Sequence, residues 1–133
     1  MSEPMPDDVA RAFEAMPPHA LALRAAVLDV AAGLGLARPE ETLKLGEPAC
    51  LPGKGGTTVR IGPDKAGGGV KLLVNCRTSL VEDWRARFDG RLEFEGDRAV
   101  LVPASGRADE AAFRACIADA FTYHDAKRKA AHG

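Results

Sequence analysis

The sequence predicts an α+β fold: a mainly antiparallel sheet of about five strands, two N-terminal helices, a short middle helix and a long C-terminal helix. Three observations predict it. Apolar residues recur with a helical period in the first and last quarters of the chain. The middle segments alternate apolar and polar residues, as strands with one buried face do. Glycine-containing turns separate those segments, which favours antiparallel pairing.

Length, charge and cysteine content restrict the classes of function. The 133 residues are expected to form one domain, with 1–6 and 126–133 as loose termini. A net charge of −1 favours neither nucleic acid nor a membrane surface as partner. No apolar run reaches transmembrane length, and no signal peptide is indicated. Cys50, Cys76 and Cys116 form no CxxC pair, so reduced thiols and a cytoplasmic location are predicted.

Two helices are predicted in the N-terminal third. The first begins at Asp7, carries Val9 and Phe13 on its apolar stripe, and ends before Pro17-Pro18. The second covers 18–33 and has two apolar faces, so we expect it to be covered on both sides, by the sheet and by the first helix. The two faces are formed by Leu23, Val27, Val30 and Leu34, and by Leu21, Ala25, Leu28 and Ala32.

Three strand candidates follow the second helix. They are the segments 42–46, 57–62 and 70–76. The chain is expected to break at Gly46-Glu47-Pro48, between the first and second candidates. The glycine-rich loop 63–69 predicts an antiparallel pair of the second with the third. Because Cys76 follows Val70, Leu72 and Val74 at a period of two, it is predicted to be a buried, inert thiol.

The remaining segments predict one short helix, a hairpin and a last helix. The four residues from Ser79 to Glu82 fit a capping box, which begins the short helix. The segments 92–94 and 98–102 flank a turn with glycine, which indicates a β-hairpin. The last helix begins at Asp109-Glu110, and His124 continues its apolar stripe.

Three short segments carry motifs that occur in the same order in a known family. Leu43 to Ala49 is similar to S-L-K-W-G-x-P-x-Y, although Leu45 and Cys50 stand where aromatic residues are expected. The segment from Asn75 to Val81 is similar to H-C-x-T-L-V, and the segment from Phe121 to His124 to L-T-Y-H. Together these segments resemble the YdhG-like family of domains of unknown function.

The resemblance implies a compact α+β domain with helices against a curved antiparallel sheet. One branch of the family is regarded as a frataxin-like iron chaperone, so the resemblance brings iron into consideration as a bound metal. It implies no established reaction. From the residues themselves we predict no cofactor.

Polar residues on adjacent predicted strands indicate a ligand site. Alternation places Lys44, Arg60 and Asn75 on the side of their strands that faces away from the helices, and Arg77 follows closely. Such a group suits a carboxylate or phosphate. Lys71 also belongs to this group of polar residues. The alternative is a solvated sheet face, whose lysines and arginines keep the protein soluble. We therefore predict a non-enzymatic module that binds a small anion or a partner, with ligand-binding residues Lys44, Arg60, Asn75, Arg77 and His124.

Two other classes of function are kept as alternatives. An iron-handling chaperone would need convergent carboxylates, and those near the first two helices are not densely clustered: Glu3, Asp7, Asp8, Glu14, Glu40 and Glu41. A cysteine enzyme would need Cys76 and His124 as a thiolate–imidazole pair. The segments Lys54-Gly-Gly and Gly67-Gly-Gly fit no phosphate loop and are predicted to be mobile turns.

Overall fold

The structure is a computed structural model that describes residues 4–103, 105 and 109–132. Residues 1–3 of the predicted lead-in and Gly133 of the predicted tail lie outside the described residues. Five helices and six strands occur in the described part of the chain. The helices are α1 (Asp7–Glu14), α2 (His19–Gly33), α3 (Leu80–Arg87), α4 (Glu110–Phe121) and α5 (Tyr123–His132). The strands are β1 (Glu40–Lys44), β2 (Glu47–Leu51), β3 (Val59–Pro63), β4 (Val70–Leu73), β5 (Glu93–Glu95) and β6 (Ala99–Val102).

The strands form one open antiparallel sheet in the order β1-β2-β3-β4-β6-β5. The α+β class and the antiparallel pairs β3–β4 and β5–β6 are as predicted. Val59, Ile61 and Leu72 of one sheet face are buried in the same core cluster as Val27 and Ile117 of the helices. Of the described helices, none is long and apolar enough to cross a membrane.

The sheet has six strands because the predicted break after β1 is a tight turn followed by another strand. Leu45 and Gly46 have φ values of 54° and 77°, and two positive φ values in a two-residue turn produce a hairpin. β2 then pairs antiparallel with β1. Pro48 is tolerated in β2 because the pairing with β3 begins only at Ala49.

The prediction of a strand as far as Cys76 is wrong, because β4 ends at Leu73. The backbone N–H of Val74 still donates to the carbonyl of Arg98, at 2.7 Å. Asn75 then turns the chain, since its side-chain oxygen accepts a hydrogen bond from the backbone N–H of Arg77, at 2.9 Å. Cys76 is therefore exposed and does not belong to the core.

The prediction that α2 is covered on both sides is also wrong. Leu23 and Val27 of the first apolar face are buried, whereas Leu21, Ala25 and Ala32 of the second face are exposed, Leu21 by 41%. The first helix does not cover the second apolar stripe, because α1 packs against β1 and β2. That stripe is rich in alanine, so leaving it partly exposed costs little hydrophobic free energy.

A buried ion pair ties α2 to β1. The Arg24 guanidinium donates to both carboxylate oxygens of Glu41, at 2.7 and 2.8 Å, and to the carbonyl of Pro4 at 3.2 Å. The two side chains are only 3% and 5% exposed. Burial alone would raise the pKa of Glu41, but the hydrogen bonds and charge of Arg24, with those of Arg38, outweigh burial and lower it.

The predicted long C-terminal helix is divided in two at Thr122, and the predicted loose tail is helical to His132. At the start of α3, the Ser79 side chain makes no capping hydrogen bond, so the predicted capping box is not formed.

The Lys54-Gly-Gly segment packs tightly at the junction of α4 and α5. The backbone N–H of Thr57 donates to the carbonyl of Ala120 at 2.8 Å, and that of Asp125 donates to the carbonyl of Gly55 at 3.0 Å. A Cβ on Gly56 would lie 2.3 Å from the carbonyl oxygen of Phe121. The carbonyls at the end of α4 need donors from outside the helix, and the loop supplies one while positioning Thr57.

Candidate functional site

Strand register places Lys44 and Arg60 on the same face of the sheet. Directly opposed residues on neighbouring strands share a face. Lys44 is opposite Glu47, and Ala49, two residues later in β2, is opposite Arg60. Both cations therefore lie on the face opposite to the helix-covered side of Val59, as alternation predicts.

A cavity of about 340 Å³ lies where the ends of four strands meet on this side of the sheet. Four segments contribute lining residues: the end of β1, the residues just before β3 together with the second residue of β3, the turn after β4, and the turn before β6. We call it the cationic cavity; its lining residues are Lys44, Thr57, Thr58, Arg60, Val74, Asn75, Cys76 and Arg98.

Three cationic side chains line the cationic cavity, and their partners differ. The Arg60 guanidinium pairs with the Glu47 carboxylate at 2.5 Å, so most of its charge is compensated. Lys44 and Arg98 are exposed, and neither forms an ion pair with any residue that the structure describes. The two uncompensated positive charges give the cavity a preference for anions.

Two neutral side chains add hydrogen-bond donors to the lining. The side-chain oxygen of Asn75 is occupied by the backbone N–H of Arg77, which leaves its amide N–H groups for a ligand. Thr57 is only 8% exposed, and its hydroxyl makes no hydrogen bond within the described part of the chain. The Thr57 hydroxyl can therefore donate a hydrogen bond to an anion in the cavity.

The structure brings together three of the five predicted ligand-binding residues. Lys44, Arg60 and Asn75 line the cationic cavity, while Arg77 and His124 are absent from its lining. Arg77 is exposed beyond the Asn75 turn. His124 is exposed at the start of α5, with its ring 5.3 Å from that of Tyr123.

Sequence reasoning missed Arg98, Thr57, Thr58 and Val74, and it wrongly placed Cys76 in the core. Arg98 reaches the cavity because β6 is the neighbour of β4, so that Leu73 lies opposite Ala99. The sequence did show Arg98 as a cation at the predicted hairpin. It did not show that β6 pairs with β4, because local patterns do not determine which strands are neighbours.

The three cysteines have different environments. Cys50 and Cys116 are buried, and burial is the main cause that raises the pKa of each thiol to about 12. Cys76 is exposed in the lining of the cationic cavity. His124 is not in that lining, so the thiolate–imidazole pair that the cysteine-enzyme alternative would need is not a feature of the cavity.

The carboxylates considered for iron are dispersed. Asp7, Asp8 and Glu14 are exposed on α1, and Glu40 is exposed at the start of β1. Glu41 is engaged by Arg24. Glu3 lies outside the described residues. Within residues 4–103, 105 and 109–132, no three His, Cys, Asp or Glu side chains form a set that could hold a metal ion.

A second concavity of about 300 Å³ lies between α3, α4 and α5. Its lining includes two carboxylates, Asp83 and Asp119, and Asp119 accepts from Trp84 at 3.0 Å and from Arg87 at 2.6 Å. Lys127 lies over the Tyr123 ring, 5.2 Å from its centre. The cationic cavity is therefore the better candidate for an anion, since it keeps two cations without acidic partners.

No family model, curated protein or solved structure matches this chain. The resemblance to the YdhG-like family stays a prediction, and a functional assignment depends on the geometry of the cationic cavity.

Proposed function

We propose that this protein is a binding module for a small carboxylate or phosphate anion, which it holds in the cationic cavity. The observation that carries the proposal is the presence of Lys44 and Arg98 in one cavity without acidic partners among the described residues. A ligand with one or two negative charges replaces the missing partners. The volume of about 340 Å³ lies at the small end of the range of ligand sites, which suits a small ligand.

The expected affinity follows from the number of charged contacts. Each charge-assisted hydrogen bond contributes about 1.5–3 kcal/mol. Contacts to Lys44 and Arg98 together give about 3–6 kcal/mol before the cost of immobilising the ligand, and Asn75 and Thr57 add neutral donors. A dissociation constant of about 1 mM requires about 4 kcal/mol. We expect a dissociation constant in the micromolar to millimolar range, weakened by salt.

Arg60 contributes less than the other two cations in the unbound protein. Glu47 occupies its guanidinium at 2.5 Å, so an anion must compete with a carboxylate that belongs to the protein. Glu47 also adds a negative charge beside the cavity, which lowers the affinity for any anion. Removal of that carboxylate should strengthen binding.

The test is a two-dimensional NMR titration of the protein with inorganic phosphate and, separately, with acetate at low ionic strength. We expect the largest saturable shifts at the backbone amides of Thr57, Asn75 and Arg98. The amides of α1 serve as the internal control, because none of its residues lines the cavity. Small shifts spread evenly over the exposed cations, without saturation, would contradict the proposal.

A further inference from the structure

Cys76 is the one cysteine that an anion in the cationic cavity could reach. We propose that Cys76 is a modification site for small anionic disulfides, which the cavity selects by charge and which form a mixed disulfide with its thiol. This inference rests on the proposed function, because the same cations would hold the anionic part of the disulfide.

Exposure distinguishes Cys76 from the other two cysteines. Cys50 is 3% exposed and Cys116 is 0% exposed, and the pKa of each is raised to about 12, mainly by burial. A buried thiol of this kind is unreactive at neutral pH. The prediction that Cys76 is a buried, inert thiol is therefore wrong, and Cys50 and Cys116 are the protected thiols.

The surroundings of Cys76 provide an independent indication of a ligand. Thr57 is more than nine-tenths buried, lines the same cavity, and keeps a hydroxyl without a partner among the described residues. Lys44 and Arg98 add two uncompensated charges to that lining. An anionic group bound by these side chains would lie in the same cavity that Cys76 lines.

The reaction is a thiol–disulfide exchange. The thiol of Cys76 gives its proton to solvent, and the thiolate attacks one sulfur of the disulfide. A new sulfur–sulfur bond forms to Cys76 while the original bond breaks, and the second half of the reagent leaves as a thiolate that takes up a proton. The disulfide is itself the oxidant, so no further co-reactant is needed. The cations of the cavity raise the local concentration of an anionic disulfide, and this makes its reaction with Cys76 faster than that of a cationic disulfide.

The experiment compares three alkyl disulfides of different charge: dithiodipropionate (anionic), hydroxyethyl disulfide (neutral) and cystamine (cationic). Each rate constant is divided by the rate constant of the same disulfide with a peptide of residues 73–79, which keeps Arg77 but lacks the cavity. At low ionic strength we expect the normalised rate for the anionic disulfide to exceed that for the cationic one by about tenfold or more.

Variants separate the cavity from the general charge of the protein. Lys44→Ala combined with Arg98→Ala should abolish the preference, and so should high salt, whereas Arg77→Ala should keep it. Mass spectrometry should locate the modification at Cys76, and Cys76→Ser should not react. Equal normalised rates for the three disulfides, modification at Cys50 instead, or a preference retained in the double variant would overturn the inference.

A phosphate titration of Cys76→Ser separates this inference from the proposed function. If the variant binds phosphate and the wild-type protein shows no charge preference, the thiol inference is wrong and the anion site stands. If Cys76→Ser and the wild-type protein both fail to bind phosphate and the rates show no preference, both proposals are wrong.

Discussion

Gly56→Ala should destabilise the protein strongly, because the loop before β3 has no room for a side chain. A Cβ at this position would lie 2.3 Å from the carbonyl oxygen, 2.5 Å from the carbonyl carbon and 2.6 Å from the Cα of Phe121. All three are backbone atoms in the last residue of α4, so a rotamer change cannot relieve the clash. The loop has to move away from the helix instead.

The magnitude follows from the contacts that this movement breaks. The hydrogen bond from Thr57 to Ala120 and that from Asp125 to Gly55 are lost, at about 1 kcal/mol each. Overpacking at a site that cannot relax costs about 1–3 kcal/mol. We expect the free energy of unfolding to fall by about 3–5 kcal/mol.

The assay is urea unfolding, with Gly33→Ala as the matched control. Both substitutions change the unfolded chain in the same way. A Cβ on Gly33 would meet no atom within 4 Å, so the helix propensity of alanine should raise stability by about 0.5–1 kcal/mol. If Gly56→Ala unfolds at the same urea concentration as the wild-type protein, the described packing of the loop against α4 is wrong.

Three further predictions concern the buried ion pair, the thiols and the competing carboxylate. Arg24→Met should lower the free energy of unfolding by about 3–5 kcal/mol, because it leaves Glu41 buried without its main partner. Since the pKa of Glu41 in the folded state is lowered from its ordinary value by Arg24 and Arg38, against the effect of burial, the ion pair stabilises the fold at pH values above that ordinary pKa. That contribution to stability is lost as pH falls through the pKa of Glu41 in the folded state. The stability of Glu41→Gln should not show this loss on acidification. Identical pH dependence of stability in the variant and the wild-type protein would contradict the prediction. A thiol titration should find one reactive cysteine in the native protein and three in denaturant, and rapid labelling of Cys50 would contradict the described core. Glu47→Gln should tighten phosphate binding by up to about fivefold, the equivalent of a surface ion pair, and calorimetry showing weaker binding would exclude competition for Arg60.

Much of the fold was predictable from periodicity, because local patterns determine which face of a strand or helix is buried. The alternation of Val59, Arg60 and Ile61 correctly separates the two sheet faces. The strand β2 was missed because its turn uses Leu45 at φ 54°. Leucine rarely adopts a positive φ, so the first turn residue gives no signal for a tight hairpin. Pro48 gave a further reason to expect a break there.

The candidate site was predictable only in part, because its lining depends on which strands are neighbours. Lys44 and Arg60 follow from alternation alone. Arg98 enters the cavity because β6 pairs with β4, a long-range relationship. Cys76 was assigned to the core by extending the alternation of β4 through Asn75, whose side chain instead stabilises a turn.

The central claim is that the uncompensated cations of the cationic cavity bind a small anion. The most direct measurement is the dissociation constant of inorganic phosphate for Arg98→Ala and for Arg77→Ala, by calorimetry at one low ionic strength. Both variants remove one exposed arginine, but only Arg98 lines the cavity. We predict that Arg98→Ala weakens binding about tenfold or more, the loss of one charge-assisted contact, and that Arg77→Ala leaves it nearly unchanged. Equal effects of the two substitutions would contradict the claim.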